Sequence, residues 1–169
     1  MRLTKFALAL AFCAPVFCGN AGGVTWVEPP GWKSLGSRPM RAATYTVPAA
    51  PGDKEDAECA VFYFGQGQGG GVNENIARWL GQFQEKPATP PQPRKQSIAG
   101  LNVTIIEHSG TYLSGAPMSP QKTPKPGYRM VGAIVEAPEG NVFFKLTGPA
   151  KTVQAAHPVF QKMLQSLRK

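Results

Sequence analysis

Tyr128-Arg129-Met130-Val131-Gly132-Ala133-Ile134-Val135-Glu136-Ala137, the turn Pro138-Glu139-Gly140, and then Asn141-Val142-Phe143-Phe144-Lys145-Leu146-Thr147 form the stretch that decides how this chain folds. Both runs have strand length and are rich in the β-branched and aromatic residues that suit a pleated surface. Proline at the second turn position holds φ near its turn value, and glycine accepts a positive φ. The two runs therefore read as an antiparallel hairpin.

Downstream, Gly148-Pro149 reads as the break that ends the second strand. Val153, Phe160, Met163, Leu164 and Leu167 then recur at helical spacing. Pro158 predicts a kink, or a fresh helix start near His157. Upstream, residues 114–127 carry four prolines and two lysines and read as a long irregular loop. Residues 94–99 and 101–108 read as strands around Gly100, with Leu101, Val103 and Ile105 on one face and Asn102 and Thr104 on the other; the second strand can extend to Leu113.

Further upstream, Val72, Ile76, Trp79, Leu80 and Phe83 form one apolar stripe and predict an amphipathic helix over 72–86. Asn73 is its expected N-cap, Glu74 suits the positive end of the dipole, and residues 87–93 stop it with prolines. Residues 24–28, 40–47 and 57–64 read as strands, the last apolar on both faces after Glu58, as in an inner strand. Pro29-Pro30-Gly31-Trp32 is a turn that lets Trp32 pack back on the core.

The N-terminus carries the clearest targeting signal. Arg2 and Lys5 precede an apolar run over residues 6–17, and Gly19, Asn20, Ala21, Gly22 and Gly23 follow. These are the three regions of a secretory signal peptide, with cleavage expected after Ala21. The run is too short to cross a bilayer core of about 30 Å as a helix. Lipid attachment at Cys13 or Cys18 is disfavoured, because bulky Phe12 and Phe17 stand where a small residue is needed. Residues 1–21 are thus read as a leader and 22–169 as one domain. In that mature chain Cys59 is the only cysteine, inside an apolar run, and reads as a buried small hydrophobe.

The order strand, strand, strand, helix, several antiparallel strands, helix predicts an α+β fold: one antiparallel sheet of about six or seven strands packed with two main helices. The strand leading to Pro30-Gly31-Trp32, the helical Asn75-Ile76-Ala77-Arg78-Trp79, the strand Phe143-Phe144-Lys145-Leu146-Thr147-Gly148-Pro149 and the helix end Leu164-Gln165-Ser166-Leu167-Arg168 resemble exported bacterial proteins whose architecture is similar to the PsbP/Mog-like sandwich. The resemblance covers most of residues 24–168. Known members of that fold are non-enzymatic and dock on protein partners, a photosystem complex in one branch and a small GTPase in another. The resemblance implies a binding or assembly role, and neither branch's binding residues match here.

Chemistry-bearing motifs are sparse. Gly65-Gln66-Gly67-Gln68-Gly69-Gly70 fits G-x-G-x-x-G between a strand and a helix, but a dinucleotide site also needs a parallel strand ending in an acid about 20 residues on. Glu85 has that distance and sits instead before a proline run, so the segment reads as a flexible connection. A milder reading has the amides at the helix start hold an anion. Asp53, Glu55, Asp56 and Glu58 form an acidic patch without EF-hand spacing and read as a solvated loop. The two histidines, His108 and His157, belong to no metal-ligand cluster, and no G-x-S-x-G elbow is present. No cofactor, metal or nucleic-acid partner is expected.

The formal charge of +8 favours anionic partners, although the basic residues are scattered without a run of five. The long loop is the candidate site: Lys122, Lys125 and Arg129 give it a basic edge, and Met118 and Tyr128 add apolar contact. The expectation is a monomeric exported module, periplasmic or secreted, that binds an envelope protein without catalysis. The alternatives are association with an anionic membrane or polymer through Lys122, Lys125, Tyr128 and Arg129, and a hydrolase gathering His108 with a carboxylate and a hydroxyl.

Overall fold

The computed structural model describes residues 18–115 and 120–169. The apolar run of the leader and Met118 lie outside the described residues. The hairpin that decides the fold forms as read. Strands β8 (Thr123–Ala137) and β9 (Gly140–Pro149) pair in register from Tyr128 opposite Pro149 to Ala137 opposite Gly140. They lie inside a seven-stranded sheet of order β3-β4-β5-β9-β8-β7-β6, built with β3 (Lys33–Ser34), β4 (Arg41–Val47), β5 (Ala57–Tyr63), β6 (Arg94–Ile98) and β7 (Leu101–Ser114). Every pairing in it is antiparallel. The fold class is α+β, as the order of elements predicts.

Central strands must be apolar on both faces, and each face has its own core. Val131, Ala133 and Val135 of β8 join Phe144 and Leu146 of β9 beneath helix α2 (Ala150–Gln165), which supplies Val153, Phe160, Met163 and Leu164. Met130, Ile134 and Phe143 point the other way, against helix α1 (Val72–Leu80) with Ile76 and Trp79. Alternation along the strands separates the two sets residue by residue.

Several local expectations give way to tertiary context. The helix over 72–86 ends at Leu80, and residues 82–84 turn into the sheet, where Gln84 donates to the Thr111 carbonyl and Leu113 to that of Gln82. The edge of β7 beyond the end of β6 has free backbone groups, and pairing them outweighs two further turns of helix. Gly71 rather than Asn73 is the N-cap, and the Glu74 carboxylate accepts from its amide at 2.9 Å. The chain does not break at Gly148-Pro149; β9 runs through both residues into α2. Pro158 does not start the second helix, which begins at Ala150 and runs through it. Its ring faces solvent, where water can take the carbonyl it leaves unbonded. His157 is therefore mid-helix. The N-terminus of α2 is instead capped from afar: Asp53 accepts from the Thr152 amide at 2.8 Å and from its hydroxyl at 2.7 Å, placing negative charge at the dipole's positive end.

Residues 114–127 are not one irregular loop. β7 runs to Ser114 and β8 begins at Thr123, paired from Ser114 opposite Thr123 onward. Pro124 and Pro126 are tolerated because β9 ends opposite Tyr128, so residues 123–127 have a strand neighbour on one side only among the described residues. Cys18–Ala21 also form a strand, β1, paired with β2 (Val24–Val27) through a turn in which Gly22 (φ 60) and Gly23 (φ 79) take the positive dihedrals of a tight hairpin. The expected cut after Ala21 falls in that turn. Trp32 packs on the core beside Tyr45, and Cys59 is fully buried.

α1 sits low on the sheet because Gly132 lies under Trp79. A Cβ at Gly132 would meet the indole ring at 2.2 Å. Gly132→Ala is therefore expected to destabilise the fold by about 1–3 kcal/mol. Urea unfolding at neutral pH measures it, and adding Trp79→Leu should recover part of the loss.

Candidate functional site

α1 has nine residues and covers about 13.5 Å of a sheet face along which the ten residues of β9 extend about 33 Å. The uncovered part of that face is a trough. Its floor follows from strand register: Lys145 of β9 stands between Ala60 of β5 and Gly132 of β8, two of the smallest residues in the sheet. They leave room for the long side chain to lie along the face. It is 9% exposed.

The ammonium donates to the Gln82 side-chain carbonyl and to the Tyr112 hydroxyl (3.3 Å), and lies 5.1 Å from the centre of the Tyr112 ring. Both oxygen acceptors are neutral, and among the described residues Lys145 forms no salt bridge. Burial pushes its pKa down to about 8, with Glu58 opposing the shift and Arg41 adding to it. Burial also raises the Tyr112 hydroxyl.

Two clefts meet at Lys145 and share Phe62 and Gln82 as well. The polar one, 540 Å³, is bordered by Arg41, Glu58, Tyr112, Tyr128 and Thr147. Arg41 is bonded to Glu58 at 2.8 Å and rests on the Phe62 ring, reaching this face through the irregular register between Arg41 and Ala43. The buried Thr147 Oγ1 has no hydrogen-bond partner among the described residues. The second cleft, 350 Å³, is apolar and is walled by Met40, Phe62, Phe64, Trp79 and Phe143, with Asn75 and Arg78 on its α1 side. Met40 (69%) and Phe64 (38%) are exposed, and the Phe62 and Phe64 rings stack 6.2 Å apart.

The residues expected to form a basic edge are distributed over both faces. Lys125 (2.7 Å) and Tyr128 (2.5 Å) converge on Glu55, which Lys125 and then Tyr128 hold below the usual carboxylate range. Burial and Glu55 push the Tyr128 phenol up to about 12. Arg129 points to the opposite face and binds Glu107 and Gln154, each at 2.5 Å. Burial works to raise the Glu107 carboxyl, but Arg129, His157 and Arg94 together keep it low. Lys122, near the end of the hairpin, has interactions of its own. The acidic patch is likewise a set of specific acceptors: Asp53 caps α2, Glu55 gathers Lys125 and Tyr128, Asp56 takes the Ala49 amide at 2.9 Å, and Glu58 holds Arg41.

His108 packs edge-on against Phe83, 4.6 Å between ring centres. The nearby Glu85 carboxylate is occupied by the Thr111 hydroxyl (2.6 Å) and amide (2.8 Å). No group of three metal-ligating side chains gathers among the described residues. The glycine-rich connection leads from β5, a strand antiparallel to both its neighbours, so the parallel pair of a dinucleotide fold is not there. No helix among the described residues is long and apolar enough to cross a membrane.

Lys145 stands in the stretch that decides the fold, yet sequence reasoning missed it as a site residue. The available signal was alternation: Phe143, Lys145 and Thr147 share one face of a strand whose other face is wholly apolar.

No protein-family model matches the chain, and no curated protein matches it. Solved structures do. Cyanobacterial PsbP (CyanoP) from Synechocystis is similar over 96% of this chain and 97% of its own, with 10% identity and a TM-score of 0.56. The fold is PsbP-like. A protein of unknown function from Pseudomonas aeruginosa is similar over 92% of this chain and 98% of its own, with 12% identity and a TM-score of 0.50. At such identities the PsbP likeness is one of backbone architecture, and function has to be argued from the trough.

The depressed lysine has a signature in stability. Its pKa of about 8 lies below the unfolded value of 10.5, so between these values the unfolded chain binds more protons and stability rises with pH. Urea midpoints should climb between about pH 8 and pH 10, by up to ~2 kcal/mol in stability, and Lys145→Met should flatten that slope. An unchanged slope in the variant would place the titrating group elsewhere.

Proposed function

We propose that this protein is an exported, non-catalytic binding module of the cell envelope that takes its ligand in the trough on the α1 side of the sheet. Export rests on the leader-like residues 1–21. Binding rests on one observation: a cation buried in the floor of an open trough, hydrogen-bonded among the described residues only to neutral groups, where an apolar cleft meets a polar one. Desolvating a charge with no counter-charge in direct contact costs stability, and a site that receives a ligand gives that arrangement a use.

Three groups away from the trough that might do chemistry are committed to structure. Burial raises the Cys59 thiol far above its ordinary value, Glu85 is held by Thr111, and Glu107 is shared by Arg94, Arg129 and His157. The basic edge is a weaker docking surface than its composition suggests, because an anionic membrane or polymer has to compete with Glu55 for Lys125 and with Glu107 for Arg129.

A photoreactive side chain placed at Phe64 in cells of the source organism tests this reading. The expected result is a covalent adduct, found by mass spectrometry on envelope-fraction protein whose chain starts after Ala21, with no adduct from the same side chain at Lys95. Cytosolic protein retaining Met1 would overturn the export reading. Equal adducts from both positions, or none from Phe64, would overturn the trough as the binding face.

A further inference from the structure

Among the described residues the apolar cleft is lined by two cations and no carboxylate. Lys145 lies in its floor and Arg78 on its α1 side, and the remaining lining is Phe62, Phe64, Trp79, Phe143 and neighbouring neutral groups. Among the described residues neither cation forms a salt bridge: Arg78 donates to the Asn75 side-chain carbonyl at 3.0 Å, and Lys145 to Gln82 and Tyr112. The carboxylates nearest by chain and register have other partners, Glu58 holding Arg41 and Glu74 accepting from the Gly71 amide. Aromatic walls with unmatched positive charge at one side complement a molecule with an apolar body and a single negative group.

We infer that the cleft binds a small anionic amphiphile of the medium-chain fatty-acid class, its chain against Phe62, Phe64 and Phe143 and its anionic group between Lys145 and Arg78. This rests on the trough being a binding site at all. The volume of 350 Å³ lies at the lower end of the about 300–1,000 Å³ common for ligand pockets, which favours a medium chain over a full phospholipid. The exposed Met40 at the mouth is a flexible side chain that can close over an alkyl chain of variable length. Lys145 supplies a buried, charge-assisted contact, and Arg78 supplies a solvent-facing one that can follow the headgroup.

Titration calorimetry with the purified chain tests the inference, using decanoate, decanol and acetate as separate probes. Decanoate is expected to bind, and salt to weaken it. Acetate should not bind, because it lacks the chain, and decanol should bind at least about tenfold more weakly, because it lacks the charge. Lys145→Met should lower decanoate affinity by about tenfold or more while leaving decanol unchanged. That variant removes a desolvated charge, so it is expected to fold. Arg78→Gln, at an exposed position, gives a second reading with a smaller loss. Decanol binding as tightly as decanoate, acetate binding as tightly as decanoate, or full decanoate affinity in Lys145→Met would each overturn the anionic-amphiphile assignment. Failure of all three probes would overturn it too. In every one of these cases the crosslink from Phe64 decides separately whether the trough binds something else.

Discussion

The structure depends on a constraint on its two central strands. β8 and β9 have hydrogen-bonded neighbours on both sides, so they lie within the sheet, and their side chains alternate into two cores that must each be covered. On one face α2, with sixteen residues, and β2, through Val24 and Trp26, complete the cover. β2 is tied to the end of α2 by reciprocal backbone bonds between Thr25 and Arg168. On the other face the helix is only nine residues long, and the described residues leave the sheet beyond it open. The trough is what remains when a short helix covers part of a long sheet.

Partial cover explains the placement of polar groups. Lys145 points to the α1 side at the border of the covered region, between Ala60 and Gly132, where its stem packs among small residues and its ammonium reaches Gln82 and Tyr112. Gln82 is available because α1 ends early and the chain turns into the sheet edge. Tyr112 is available because alternation along β7 puts it on the α1 side with Ile106. One departure from regular structure and one regular strand position thus supply the two partners of the buried cation.

Charge outside the trough is spent on holding distant segments together. Asp53 ties the loop before β5 to the start of α2, Glu55 ties the same loop to the β7–β8 hairpin, and Glu107 gathers residues from β6, β8 and α2. Exposed pairs such as Lys125–Glu55 contribute little each, about 0–1 kcal/mol. Their effect is to place the loops and to occupy basic side chains that a count of residues leaves looking available.

The sequence by itself determined the antiparallel hairpin, the α+β class, the apolar stripes of both helices and the burial of Cys59. Each of these follows from local periodicity or from a turn residue's allowed dihedrals, which neighbouring residues control. Only the tertiary structure decided where α1 stops, that prolines 124 and 126 lie in a strand, that Gly22 and Gly23 form a hairpin turn, and which charges pair. Those outcomes depend on partners far away in the chain: the free edge of β7, the end of β9, Glu55 and Glu107. The site was hidden for the same reason. A lysine in a strand is locally an outward-facing residue, and it becomes the floor of a trough only when Ala60 and Gly132 flank it and a short helix leaves the face above it open.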